Sequence, residues 1–194
     1  KTNETKTPEI MIRSVKQSVT KLNIDCLNIC YLHQNDLSIL SDPFVLEGMQ
    51  LLKEMKLIKY TGASVYSLKE CELCMKLGVF DYIQVPVSIF DVSFYDEFIK
   101  HNNTPVKFVA RSMLLQGVVT NRNGIISKIS ESKEVIRYLD KLDMIARRND
   151  LRTIDLALAF VYSLENISQY IIGTTSITNL QNAIECLEIK LSNY

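Results

Sequence analysis

The sequence predicts an α/β protein built on a parallel sheet, and three observations lead there. Short apolar runs of strand length alternate with longer stretches of helical periodicity. The runs are nearly continuous in Val, Ile and Leu, as strands buried on both faces are. Each run ends in polar or glycine-containing residues: His33, Ser64, Gln84, Arg111-Ser112 and Gly173-Thr174-Thr175. In a parallel barrel such strand ends gather on one face.

Composition bounds the rest. The 194 residues are 47% hydrophobic and 23% charged, so the chain can bury a real core and reads as one domain over 1–194. Lys plus Arg equal Asp plus Glu at 22 each, which gives no electrostatic argument for nucleic acid or an anionic membrane as partner. No apolar run approaches the roughly 18 residues of a membrane span, and the N-terminal stretch lacks a signal-peptide core. A cytoplasmic protein is expected. Cysteines at 26, 30, 71, 74 and 186 make an odd set, which suits a reducing compartment better than a disulfide framework. Cys71 and Cys74 have zinc-like spacing, but no second ligand pair matches it. No metal is expected, and the two read as small apolar side chains on a helix.

In order along the chain, Thr7-Pro8-Glu9 supplies a cap, a proline at the first helical position and an early acid. Ile12, Val15, Val19 and Leu22 then form one inward face. The strand that ends at His33 follows, with a polar turn after it. Ser41-Asp42-Pro43 opens a second helix, whose stripe is Val45, Met49, Leu52 and Met55. Leu57 to Ala63 is a strand closed by Gly62-Ala63-Ser64. Ser67 and Glu70 form a capping box for a helix through Lys76, with Gly78 as its C-cap.

Tyr82 to Val85 is the next strand and carries Gln84. Phe94 to Ile99 is a short helix, and Val106 to Ala110 is a strand that runs into Arg111-Ser112. Thr120 to Ser132 turns to Asn, Gly, Ser and Lys, as a long exposed loop does. Val135, Leu139, Leu142, Ile145 and Ala146 stripe one later helix; Leu156, Ala159, Phe160 and Ser163 stripe another. Tyr170-Ile171-Ile172 is the last strand, and Thr178 with Gln181 caps a helix to about Ile189.

The order of these strand ends carries more than any one of them. Ile24 to His33, Tyr60-Thr61-Gly62-Ala63-Ser64, Ile83-Gln84, Arg111 to Gly117 and Ile171 to Ser176 resemble the successive strand-end motifs of the aldo-keto reductases. Asp155 to Phe160 resembles the family's segment before its last strand. The likeness spans nearly the whole chain. It implies a (β/α)8 barrel of which about the last five units are present, and reduction of a small-molecule carbonyl substrate by a nicotinamide cofactor, NADP with NAD as the alternative.

The resemblance also assigns roles. His33 becomes the active-site histidine, and Lys1 stands where the family's catalytic lysine would be. The family's aspartate and proton-donating tyrosine belong to earlier units, so these residues alone are expected not to turn over. Ser64 and Gln84 match the groups that bind the nicotinamide carboxamide, although Val65 replaces the family's usual asparagine. Arg111 stands where an aromatic ring usually stacks on the nicotinamide, and a guanidinium plane can also stack. Ser112, Met113 and Leu114 follow it in the cofactor-binding stretch. Gly173, Thr174 and Thr175 offer donors for phosphate near a helix start, while Asn179 and Asn182 fall at adenosine-binding positions. Two rivals use the same residues: a non-catalytic nucleotide-binding member of the family, and a lyase or isomerase on an unrelated barrel.

Overall fold

The computed structural model describes residues 7–33, 36–119 and 132–191. Their elements run in the order helix α1 (Thr7–Leu22), strand β1 (Leu27–Leu32), α2 (Leu37–Leu40), α3 (Pro43–Glu54), β2 (Ile58–Ser64), α4 (Leu68–Leu77) and β3 (Tyr82–Pro86). There follow a short π-type helix α5 (Tyr95–Ile99), β4 (Lys107–Arg111), α6 (Ser132–Arg148), α7 (Thr153–Tyr162), β5 (Ile167–Tyr170) and α8 (Ile177–Glu185). In the sheet the strands keep their chain order, β1-β2-β3-β4-β5. β1 pairs with β2 in parallel, Leu27 opposite Ile58 and Leu32 opposite Ala63, and β2 with β3, Ser64 opposite Gln84. Parallel neighbours need a crossover, and α3 and α4 supply them.

The chain forms two compact units, one holding the residues up to Val85 with Asn103–Val109, the other Pro86–Asn102 with the residues from Ala110 onward. In the first, Val15, Met49, Leu52 and Ile58 form a buried cluster against which Met11, Ile12, Leu27 and Cys30 pack. Asp81 ties its elements together: its Oδ2 accepts from Lys53 Nζ at 2.8 Å, from the Thr61 amide at 2.8 Å and from Thr61 Oγ1 at 3.0 Å. Burial alone would raise the Asp81 carboxyl, but the Lys53 and Thr61 bonds outweigh it and hold the pKa below its ordinary value. Cys71 and Cys74 are fully buried on α4, where loss of solvent pushes both thiols up to about 12. In the second unit, Leu142, Ala146 and Leu156 make the cluster between α6 and α7.

Local signals set most of the helix starts. Asp42 Oδ1 accepts from the amides of Phe44 (2.8 Å) and Val45 (3.1 Å), with Pro43 at the first position. Ser67 Oγ accepts from the Glu70 amide at 3.3 Å while the Glu70 carboxylate reaches back to the Ser67 amide. Gly78 closes α4 at φ +65°. Four expectations need correction. β5 covers Ile167–Tyr170 rather than Tyr170–Ile172, because its middle residues, Ser168 and Gln169, are exposed and the run so lacks a buried strand's pattern. The cap of α8 is Ser176, whose Oγ accepts from the Asn179 amide at 3.3 Å; Thr178 already lies within the helix. α7 is buried almost all round, from Asp155 to Ala159 and at Val161, rather than along one stripe, and Ser163 lies beyond it as its C-cap. Leu22, Met55 and Ile145 are exposed, where their helical stripes run past the surface they cover. The Thr120 to Ser132 loop falls outside the described residues except for Ser132, which opens α6.

Gly62 marks a close approach in β2. A Cβ there would meet Tyr31 Cδ1 at 2.6 Å and Ile29 Cγ2 at 3.2 Å. Gly62→Ala should therefore cost about 1–3 kcal/mol of stability by overpacking. Urea unfolding reads it, and an unshifted midpoint would mean that Tyr31 simply turns aside.

Candidate active site

In the first unit the strand ends bring His33, Ser64, Tyr66 and Gln84 into two hydrogen-bonded pairs. Ser64 ends β2 and is fully buried. Its Oγ donates to Gln84 Oε1 at 3.0 Å, and the Val65 amide donates to the Gln84 backbone carbonyl at 3.0 Å. The hydroxyl thus takes up the amide's carbonyl end and leaves its NH2 as the end that can meet a ligand acceptor. His33, one residue beyond β1, is exposed, and its Nε2 lies 3.4 Å from Tyr66 Oη, the ring centroids 5.9 Å apart. Lys1 lies outside the described residues.

In the second unit, β4 ends in Arg111, whose Nη1 donates to Ser112 Oγ at 3.2 Å. Ser112 holds φ +59°, the left-handed region a non-glycine residue seldom takes, and there the backbone turns sharply out of the strand. Ser112, Met113, Leu114, Gly173, Thr174, Asn179 and Asn182, which the sequence singled out, line one cavity of about 720 Å³. That is within the range of small-molecule sites. Arg111 and Thr175 are not among its lining residues. A Cβ added at Gly173 would meet nothing within 4 Å, so its backbone faces open space that a ligand can enter.

Sequence reasoning gave no site role to Arg152, Thr153 or Asp155, which line the same cavity. Asp155 Oδ2 accepts from Arg152 Nε at 2.7 Å, Oδ1 accepts from Arg152 Nη2 at 2.6 Å, and Cys186 Sγ donates to Oδ1 at 3.4 Å. Burial would raise this carboxyl, but the Arg152 and Cys186 bonds prevail and hold it below its ordinary value. Burial, then Asp155 itself, pushes the Cys186 thiol up to about 11. Among the described residues that line the cavity, Arg152 and Asp155 are the only charged ones, and they are paired with each other. An acid three residues after the N-cap was the available signal; the arginine at the cap position hid it.

Solved structures share this fold. The aldo-keto reductase AKR11C1 from Bacillus halodurans in its apo form matches 96% of the chain with a TM-score of 0.76 at 20% identity. The glycerol dehydrogenase AKR11B4 from Gluconobacter oxydans matches 95% at 0.74 and 16% identity. An aldo/keto reductase from Klebsiella pneumoniae in complex with NADP and acetate matches 94% at 0.69 and 18% identity. The chain spans 65%, 61% and 60% of their respective lengths. The fold is therefore that of the parallel (β/α)8 barrels, with five of the strands among the described residues. The sequence model of the Aldo/keto reductase family matches residues 1–194, and the chain belongs to that family.

Proposed function

We propose that the complete protein reduces an aldehyde or ketone with a nicotinamide nucleotide, NADP or alternatively NAD, or oxidises the corresponding alcohol. The observation that carries this reading is the Ser64–Gln84 pair at adjacent strand ends, a buried hydroxyl orienting an amide. Gln84 Nε2 would donate to the carboxamide oxygen, and Arg111 is the residue whose guanidinium would stack on the nicotinamide. Gly173 and Thr174 would offer backbone and hydroxyl groups to phosphate, with Ser112, Met113 and Leu114 lining the same cavity and Asn179 and Asn182 taking the adenosine. Thr175, exposed on the same turn, is a further phosphate donor. The bound nicotinamide supplies hydride. His33 donates an N–H to the substrate carbonyl oxygen, orienting it and stabilising the negative charge that develops there. Lys1 is assigned to lowering the pKa of the tyrosine that provides the proton.

NAD is kept as the second nucleotide because the resemblance puts the neutral Asn179 where the family often has an arginine for the 2′-phosphate, and the cavity's Arg152 is already paired with Asp155. Fluorescence titration with NADPH and NADH tests the nucleotide. Gln84→Leu should leave a carboxamide group unpaired and weaken binding by about 1–3 kcal/mol. An unchanged Kd would remove Gln84 from the site. Binding without NADPH or NADH oxidation across a panel of aldehydes and ketones would favour a non-catalytic nucleotide binder, and no binding of either nucleotide would favour a different barrel chemistry.

A further inference from the structure

The end of β2 and the loop after it send three consecutive side chains to three different tasks. Ser64 bonds Gln84, Val65 is fully buried, and Tyr66 reaches across to His33. Tyr66 is the hydrogen-bonding partner of the His33 ring among the described residues, at 3.4 Å from Nε2, and its ring lies tilted against the imidazole at 59°. The loop is not left to drift. Glu70, 6% exposed, accepts from the Tyr66 amide at 2.7 Å and from the Ser67 amide at 3.3 Å, so the first turn of α4 anchors the backbone at Tyr66. An exposed imidazole at the end of a strand otherwise has several rotamers to lose when substrate arrives.

We propose that Tyr66 is the positioning residue for His33, its hydroxyl holding Nε2 so that the Nδ1 edge of the ring is the one left to meet the substrate carbonyl. This rests on the carbonyl-reductase reading and deepens it. A phenol O–H that donates to Nε2 leaves the ring proton on Nδ1, so the one contact fixes both the ring plane and the tautomer whose N–H can reach the carbonyl oxygen. Tyr66 acts through His33 and not on the nucleotide, which Ser64 and Gln84 face.

A double-mutant cycle on the full-length protein tests this, with Tyr66→Phe, His33→Ala and both together. The ring packing survives in Tyr66→Phe. Expected are a loss in kcat of about threefold to thirtyfold, unchanged Kd for the nucleotide, and no further loss when Tyr66→Phe is added to His33→Ala. The 15N resonance of His33 Nε2 should also move in Tyr66→Phe. Full activity in Tyr66→Phe, or an equal loss in the His33→Ala background, overturns the positioning role while the reductase reading stands on the His33→Ala loss. If His33→Ala itself keeps full activity, the reductase assignment of His33 falls, and the role of Tyr66 with it.

Discussion

His33→Ala is expected to lower carbonyl reduction by about a hundredfold to a thousandfold, the usual cost of removing one donor to a developing oxyanion. The imidazole is exposed at the end of β1 and belongs to no buried cluster, so its loss should leave the melting temperature within a degree or two of the parent, by the general behaviour of surface substitutions. Nucleotide affinity should also hold, since Ser64 and Gln84 pair with each other and not with His33. Steady-state rates with saturating NADPH, beside a fluorescence Kd, separate the two effects. A variant that loses nucleotide binding together with rate would mean that His33 serves the cofactor rather than the carbonyl.

Asp155→Ala should cost the second unit about 2–4 kcal/mol, because it removes a nearly buried carboxylate and leaves the groups that donate to it without their acceptor. The Arg152 amide, Nε and Nη2 and the Cys186 thiol all donate to it, and it sits in the first turn of α7, where a negative charge is favourable. The cost depends on pH in a defined direction. The folded pKa of Asp155 is lowered, so its contribution is fully present above the unfolded carboxylate value of about 3.9 and fades as pH falls through the lower folded value. Parent and variant should thus differ by a constant amount from neutral pH down to about 5 and converge below about 4. Asp81, also depressed, remains in both and cancels from the difference. Urea midpoints across that range decide it; a gap that persists or widens in acid would show that the carboxylate is not the stabilising form.

What the sequence by itself determined is what neighbours within a turn decide. The Asp42-Pro43 start, the Ser67 and Glu70 box and the Gly78 stop are contacts between residues at most four apart, and each is present as the residue types required. The alternation of strand and helix was legible because burying a parallel strand on both faces demands an unbroken apolar run. That rule also explains the failure at β5, whose exposed Ser168 and Gln169 break the pattern although the backbone ladder continues to Ile171, its amide donating to Ala110 O at 2.8 Å. Tertiary structure alone decided which distant residues meet. Ser64 with Gln84 is separated by 20 positions, Asp155 with Cys186 by 31 and His33 with Tyr66 by 33. No local interaction links such pairs. Strand register places one side chain against another, so a tyrosine that reads in the sequence as an ordinary loop residue becomes the partner of the histidine.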